Sequence, residues 1–214
     1  MNYKKLLITF VFILAVLPAS AQLLPFSLEV RGGLNRSEPS VKHGDNIKEV
    51  FSYRADAVLD FKMGLGLFTR TGLTLTEKNA KSSYRDEYES ESEKIKAQYL
   101  QIPAMVGYKL GIPMVGSVNV AGGMYFGYGI GGKSNYSNKE YDQNGDIIDS
   151  DSGKINTFGN VYKRFDTGLA VSAGVEFSRI TFNVGYEHGL LNVAKNDGNI
   201  KNRSVYASLG FRIL

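Results

Sequence analysis

Residues 164–193 read RFDTGLAVSAGVEFSRITFNVGYEHGLLNV, and their pattern is the strongest indication of the fold. From Phe165 to Phe177, and again from Ile180 to Leu190, apolar side chains alternate with polar or small ones. A period of two over such a length predicts β-strands. Both segments exceed the about 5–6 residues of an ordinary strand and suit the ~9–11 residues that a tilted strand needs to cross a bilayer. Because only Ser178 and Arg179 separate them, the stretch predicts a transmembrane β-hairpin.

The same alternation recurs outside this hairpin. Six further strands are predicted at 26–35, 53–62, 65–76, 97–110, 116–130 and 204–214. Pro103 lies inside one of them and predicts a bulge or a local break, because proline cannot donate to a strand ladder. The turns after the second, fourth and sixth strands are short. Long polar loops are predicted after the first, third, fifth and seventh strands, at 36–50, 77–96, 131–162 and 194–202.

Eight alternating strands also fit a soluble lipocalin-like barrel or a sandwich. Three features favour a membrane protein. Short turns alternate with long loops, as in outer-membrane barrels. The apolar faces carry no Asp, Glu, Lys or Arg, and a Lys or Arg at mid-bilayer would cost about 2–4 kcal/mol. Aromatic residues recur near strand ends on those faces, as in interfacial girdles. They are Phe26, Tyr53, Phe61, Tyr108, Phe126, Tyr128, Phe165, Phe177, Tyr186 and Phe211.

The sequence therefore predicts an all-β fold, an eight-stranded antiparallel up-and-down transmembrane β-barrel with short periplasmic turns and long extracellular loops. Residues 1–21 predict a cleaved signal peptide, with Lys4 and Lys5 before an apolar run and an Ala19-Ser20-Ala21 cleavage site. A transmembrane helix is disfavoured because the run is shorter than the ~20 residues of a span. Residues 22–214 form one outer-membrane β-barrel domain in this interpretation.

Composition excludes several function classes. The chain has no Cys, which excludes a disulfide framework and a thiolate metal site. Its net charge is +4, and the charges are mixed, so no nucleic-acid partner is predicted. No metal or cofactor is predicted either. The segment DQNGDIIDSDSG opens with the spacing of a calcium loop, but Ile147 and Gly153 stand where that loop needs Gly and Glu.

Four segments resemble the PorT-like family of outer-membrane β-barrel proteins. They are YLQIPAMVGYKL (99–110), RFDTGLAVSAGVEF (164–177), VGYEHGLLNV (184–193) and SVYASLGFRIL (204–214). The resemblance implies a location in the bacterial outer membrane, and it accounts for Pro103, since relatives carry a proline in this strand. Some relatives support secretion to the cell surface. The chain departs from the family at Gly185, where members often have Arg.

The polar faces of the strands predict a charged barrel interior. Seven cations and six anions are predicted to point inward: Arg31, Arg54, Lys62, Arg70, Lys109, Arg164, Arg212, Glu29, Asp56, Asp60, Asp166, Glu176 and Glu187. The interior of an eight-stranded barrel is just wide enough for side chains to fill. Near-balance of charge favours a paired, hydrogen-bonded plug over a polar or ion pathway. Removing Glu187 or Arg164 is then expected to lower stability.

These features favour a non-enzymatic barrel that is structural or binds a partner through its extracellular loops and supports secretion or envelope assembly. The partners expected are outer-membrane lipid and an envelope protein or lipopolysaccharide. A small pore or channel is the alternative. A membrane enzyme at the loop rim, using His43 with Asp45, has no supporting motif. The other histidine, His188, is expected on the outward face.

Overall fold

The structure is a computed structural model that describes residues 26–38, 40–41, 47–48, 50–85, 89–114, 116–142, 146–195 and 199–214. The predicted signal peptide, residues 1–21, lies outside the described residues, and its cleavage after Ala21 stays a prediction. Among the described residues, no helix is long and apolar enough to cross a membrane.

The described chain is built almost entirely of antiparallel strands. They are β1 (Phe26–Ser37), β2 (Ser40–Val41), β3 (Ile47–Lys48), β4 (Val50–Gly64), β5 (Leu67–Arg85), β6 (Glu89–Ile112), β7 (Gly116–Gly131), β8 (Lys133–Tyr141), β9 (Ile147–Asn156), β10 (Phe165–Phe177), β11 (Ile180–Gly189), β12 (Ile200–Lys201) and β13 (Arg203–Arg212). A turn over Thr157–Val161 follows β9, and the backbone angles of Phe158 and Gly159 within it are not helical.

Eight of these strands close into a barrel. The order is β5-β4-β1-β13-β11-β10-β7-β6, and β6 pairs with β5 to complete the ring. Each of these strands has hydrogen-bonded neighbours on both sides. In hydrocarbon a strand needs both, because unpaired backbone groups cannot bond to water there. The predicted all-β, eight-stranded antiparallel barrel is confirmed. The short turns follow β4, β6 and β10, as expected.

The barrel wall has an apolar outside and a polar inside. Along β10, Leu169, Val171 and Val175 are exposed, whereas Asp166, Ser172 and Glu176 are buried. Outward apolar side chains cannot find a core within a single layer of sheet, so lipid is the solvent that suits them. Of the ten aromatic residues predicted to form girdles, nine are exposed and Phe26 is partly exposed. Phe26 contacts Phe61, with ring centroids 5.9 Å apart.

Two long loops predicted from the sequence are largely strand. The chain at 77–96 continues β5 and β6 as a hairpin whose paired residues run from Leu67 with Tyr108 to Arg85 with Ser90. The loop at 131–162 contains the β8–β9 hairpin, and β8 pairs with the outer part of β6. The remaining two long loops contact each other, since β2 pairs with β12. Their charged composition hid these strands, because polar residues on both faces give no alternation to detect.

Pro103 produces a local break in one ladder only. β5 and β6 pair from Arg70 with Met105 and resume from Thr74 with Gln101, and the three residues between are unpaired on each strand. The register is the same on both sides, so no bulge forms. On its other side β6 pairs with β7 throughout this region, including Pro103 with Tyr125.

Candidate functional site: the charged interior and the two barrel mouths

Glu187 on β11 is the centre of the charged interior. It is 2% exposed, and its carboxylate accepts a hydrogen bond from Arg54 Nη1 at 2.6 Å. Lys78 Nζ lies 3.1 Å from its other oxygen, which also accepts from Gln101 Nε2 at 3.3 Å. Arg54 in turn donates to Asp56 at 3.0 Å. Side chains from β4, β5, β6 and β11 thus meet across the interior at one carboxylate.

A second carboxylate, Asp166 on β10, completes this network toward the long loops. It is 0% exposed and accepts from Asn202 Nδ2 at 2.8 Å and from the Tyr125 hydroxyl at 3.1 Å. Lys78 Nζ lies 3.5 Å away and 4.4 Å from the centroid of the Tyr125 ring. Lys78 therefore bridges the two buried carboxylates. A buried ammonium needs such partners, because an unpaired charge in this environment is strongly destabilising.

Toward the short turns the interior holds three further ion-pair groups. Arg70 pairs with Asp60 through two bonds of 2.7 and 2.9 Å, and Arg31 pairs with Glu29 through bonds of 2.7 and 3.0 Å. Bidentate guanidinium–carboxylate pairs fix both side chains as well as neutralise them. The third group is Glu176, which lies 2.5 Å from Lys109 and also contacts Arg212.

The structure places most of the predicted inward charges in these contacts. In ion pairs are Arg31, Arg54, Arg70, Lys109, Arg212, Glu29, Asp56, Asp60, Asp166, Glu176 and Glu187. Two predicted residues are not buried in the interior. Lys62 is exposed at the short-turn mouth, because it lies only a few residues before the β4–β5 turn.

Arg164 is the second residue that was predicted inside the barrel but lies elsewhere. It precedes β10, is exposed, and donates from Nη1 to the carbonyl of Gly129 at 2.7 Å. Alternation placed it inside, but the strand begins one residue later, so its side chain leaves the interior at the rim. Lys78 is a buried cation that was not among the predicted inward residues. It follows Thr74 and Thr76 on the inner face of β5, and continuing that alternation past Thr76 would have identified it.

The interior is tightly filled at the level of Glu187. The cavity between Arg54, Gln101, Tyr125 and Glu187 has a volume of about 10 Å³. A single water needs about 10–15 Å³, so this cavity has room for about one water molecule. Tyr206 contributes to the filling.

The Tyr206 ring lies under the guanidinium of Arg54, 3.8 Å from its carbon to the ring centroid. A Cβ added at Gly185 would lie 2.3 Å from this ring, so a larger side chain at position 185 would have to displace Tyr206.

An apolar cap closes the long-loop mouth of the barrel. Its buried members are Ala80, Ile95, Ala97, Tyr99, Phe158, Tyr162 and Val193. Tyr99 and Phe158 pack edge to face with centroids 5.2 Å apart, and a Cβ at Gly129 would lie 2.2 Å from the Phe158 ring. The cap explains why β5 and β6 continue beyond the membrane: their inner faces have an apolar partner there. Desolvation in the cap raises the pKa of Tyr162, with Glu93 adding to the rise.

The short-turn mouth is different, because it holds a cavity of about 360 Å³. Asp60, Lys62, Lys109 and Ser117 line it together with Phe68. This vestibule ends at the ion pairs of Arg70 and Glu176. On this side the interior is therefore open to solvent.

The described residues give no structural support for the candidate enzyme site. His43 and Asp45 lie outside the described residues. His188 is on the outer side of β11, with Nδ1 3.3 Å from the Tyr186 hydroxyl. Among the described residues, no three His, Cys, Asp or Glu side chains are arranged to hold a metal ion.

Comparison with known proteins assigns the family. The sequence matches the family described as outer membrane protein beta-barrel domain over residues 20–195. Comparison with curated proteins gave no match. Similar solved structures include Ail, the attachment invasion locus protein of Yersinia pestis, at 13% identity and a TM-score of 0.38, covering 88% of this chain and 99% of that one.

Two other similar structures are also surface or outer-membrane proteins. Neisserial surface protein A is 11% identical with a TM-score of 0.41, covering 86% of this chain and 96% of that one. OprG from Pseudomonas aeruginosa is 11% identical with a TM-score of 0.37, covering 87% of this chain and 95% of that one.

Proposed function

The chain belongs to the outer membrane protein β-barrel domain family. We propose that it is a non-enzymatic barrel with a closed interior that binds a partner with its loop-side strands. It is a bacterial outer-membrane protein. The observation that carries the proposal is the combination of a filled interior with large structured hairpins at one mouth. The first argues against a path for solutes, and the second supplies a surface for a partner.

The closed interior is supported at two levels. Arg54, Lys78 and Glu187 meet in the middle of the barrel around a cavity of about 10 Å³. Above them the apolar cap covers the long-loop mouth. A steady pathway for ions would require both layers to move together, and breaking a buried ion pair costs about 3–5 kcal/mol.

The binding surface is supported by the length of the hairpins. β6 has 24 residues, whereas a tilted spanning strand needs about 9–11. The excess forms an extramembrane sheet in the order β3-β5-β6-β8-β9. Its edge strand β9 is exposed along its length, with Ile147 and Ile148 at 53% and 65% exposure. Exposed strand edges pair with other chains, which suits an envelope-protein partner.

Within the family, the segments 99–110, 164–177, 184–193 and 204–214 support placing the chain near the PorT-like proteins. That placement suggests a role in secretion or envelope assembly. Crosslinking in intact cells from β9, followed by identification of the captured protein, tests it. Capture of a secretion or assembly component supports the role, and a failure to capture any envelope protein contradicts it.

Single-channel recording of the purified protein in planar bilayers tests the closed interior. We expect no steady current from the folded wild type. Stable ohmic channels, with Glu187→Gln changing ion selectivity but not stability, would replace the proposal with the small pore. The vestibule of about 360 Å³ at the short-turn mouth is the observation that favours a pore, because half of a pathway is already present there.

A further inference from the structure

A second large cavity lies outside the barrel wall, beside the loop-side hairpins. Its volume is about 670 Å³, within the ~300–1,000 Å³ of ligand pockets. Strands β5, β6, β7, β8 and β9 and the segment before β10 line it. We call it the cationic cleft, because four cations and one carboxylate line it: Lys96, Lys133, Lys154, Arg164 and Glu77.

The cations of the cleft are available to a ligand. Lys96, Lys133 and Lys154 are exposed, and none of them forms an ion pair with another described residue. The Glu77 carboxylate accepts instead from Asn79 Nδ2 at 2.6 Å and from Gln98 Nε2 at 3.4 Å. The lining therefore has an excess of positive charge, four cations against one carboxylate, and an anion would find three lysines without an ion-pair partner among the described residues.

Strand register explains why these side chains converge. Lys133 on β8 pairs with Asn156 on β9, and Asn135 on β8 pairs with Lys154 on β9. Each of these two cross-strand pairs therefore contains one lysine. Lys96 lies on β6, whose next residues outward pair with β8. Arg164 is fixed from the other side by its bond to Gly129 and lies over Phe158, 5.7 Å from the ring centroid.

The cleft is located at the end of the apolar wall. Cross-strand partners Leu75, Leu100, Tyr128 and Phe165 form one exposed apolar row across β5, β6, β7 and β10. Two residues further toward the long loops, these strands carry Glu77, Gln98 and Ile130. Lys96 lies another two residues outward along β6. Four residues of strand span about 13 Å, so the cations lie just above the aromatic boundary of the hydrocarbon.

Phosphate groups of membrane lipids lie at that depth. Lys and Arg near such a surface each contribute about 1 kcal/mol of attraction to anionic headgroups. A soluble anion would gain nothing from the neighbouring apolar row, whereas a lipid would use both. We propose that the cationic cleft binds the phosphate groups of an anionic glycolipid headgroup in the outer leaflet. The inference rests on the proposed function and names lipid as one partner of the loop-side surface.

Lipid binding to the purified, folded protein tests the site. The probe is a bisphosphorylated glucosamine-disaccharide lipid in detergent, compared with the same lipid after removal of its phosphates. We expect the wild type to bind the phosphorylated form at least about tenfold more tightly at low salt, with the difference shrinking as salt screens the charges. Equal affinity for the two lipids would overturn the site.

A charge-removal variant gives the sharper comparison. The triple substitution Lys96→Gln, Lys133→Gln and Lys154→Gln should lower affinity for the phosphorylated lipid at least about tenfold, since all three cations are lost. The matched control, Lys62→Gln, Lys139→Gln and Lys163→Gln, removes the same charge from exposed positions outside the cleft and should stay within about twofold of wild type. Equal losses in both variants would mean that net charge alone attracts the lipid, and would contradict a defined site.

Two further arms complete the experiment. Lys154→Gln alone, on the edge strand β9, keeps the test decisive if the triple variant fails to fold, and it should lower affinity by several fold. Inorganic phosphate at millimolar concentration should not displace the lipid. Displacement would identify a site for free anions and overturn the lipid assignment. The conductance experiment is independent of all these outcomes, so failure of the lipid site and failure of the closed interior are distinguishable.

Discussion

Glu187 is the residue on which the interior depends most. Its removal as Glu187→Gln leaves Arg54 and Lys78 with one buried carboxylate each, Asp56 and Asp166. We expect a loss of about 3–5 kcal/mol in the free energy of unfolding, because the remaining cations, which are buried, become undercompensated. Urea unfolding in detergent micelles or lipid vesicles measures it.

Arg164→Ala is the control for Glu187→Gln, because it removes an exposed charge and not a buried one. Alternation alone placed Arg164 inside with Glu187, but its exposed position at the rim lowers the expected loss to below about 1 kcal/mol. A loss as large as that of Glu187→Gln would show that Arg164 is buried after all. Equal, small effects of both substitutions would indicate a hydrated interior in which charges are screened.

Strand β10 illustrates how the outward face constrains an element. Leu169 is 50% exposed and pairs with His188 on β11 and Met124 on β7, well away from both ends of the strand. Leu169→Arg should strongly reduce assembly, because an arginine facing lipid near mid-bilayer costs about 2–4 kcal/mol. In unheated detergent gels a folded barrel migrates differently from the unfolded protein. The fraction of protein in the folded band measures assembly.

Lys139→Glu on β8 is the comparison for that substitution. Lys139 is exposed in the loop-side hairpin, outside the spanning part of the wall, so the change should leave assembly at the wild-type level. Normal assembly of Leu169→Arg would mean that the inward and outward faces have been exchanged.

The elements also show what sequence reasoning can reach. Period-two alternation located all eight wall strands, because lipid outside and polar groups inside impose opposite chemistry on adjacent residues. The alternation did not locate strands in the segments where the wall no longer separates lipid from a polar interior. Beyond Thr76 and before Ala97 both faces of β5 and β6 meet polar surroundings or the apolar cap, so the hairpin read as a charged loop.

Side-chain partners were harder to foresee than strands. The sequence indicated that Asp166 and Glu187 point inward, but the cation between them, Lys78, lay in the segment taken for a loop. The cationic cleft was invisible for a different reason. Lys96, Lys133 and Lys154 converge only through the register of β6, β8 and β9, and register cannot be obtained from polar strands without a buried face.

At the scale of the whole molecule, the two mouths of the barrel should face different compartments. The chain contains no cysteine, so single cysteines can be introduced without background. Lys139→Cys on the loop-side hairpin should react with a membrane-impermeant maleimide in intact cells, because long loops of outer-membrane barrels face outward. Lys62→Cys at the short-turn mouth should react only after the outer membrane is permeabilised. The reverse pattern would invert the orientation and remove the cationic cleft from the outer leaflet.

The shared carboxylate of Glu187 also has an evolutionary consequence. Arg54 and Lys78 reach it from β4 and β5, so a relative that replaces Glu187 must also change its cations or supply an anion from another strand. Aligned relatives should therefore show correlated replacement at positions 54, 78 and 187, whereas position 164 should vary independently. Such a pattern would make the interior recognisable as one inherited unit in sequences too diverged to align by their loops.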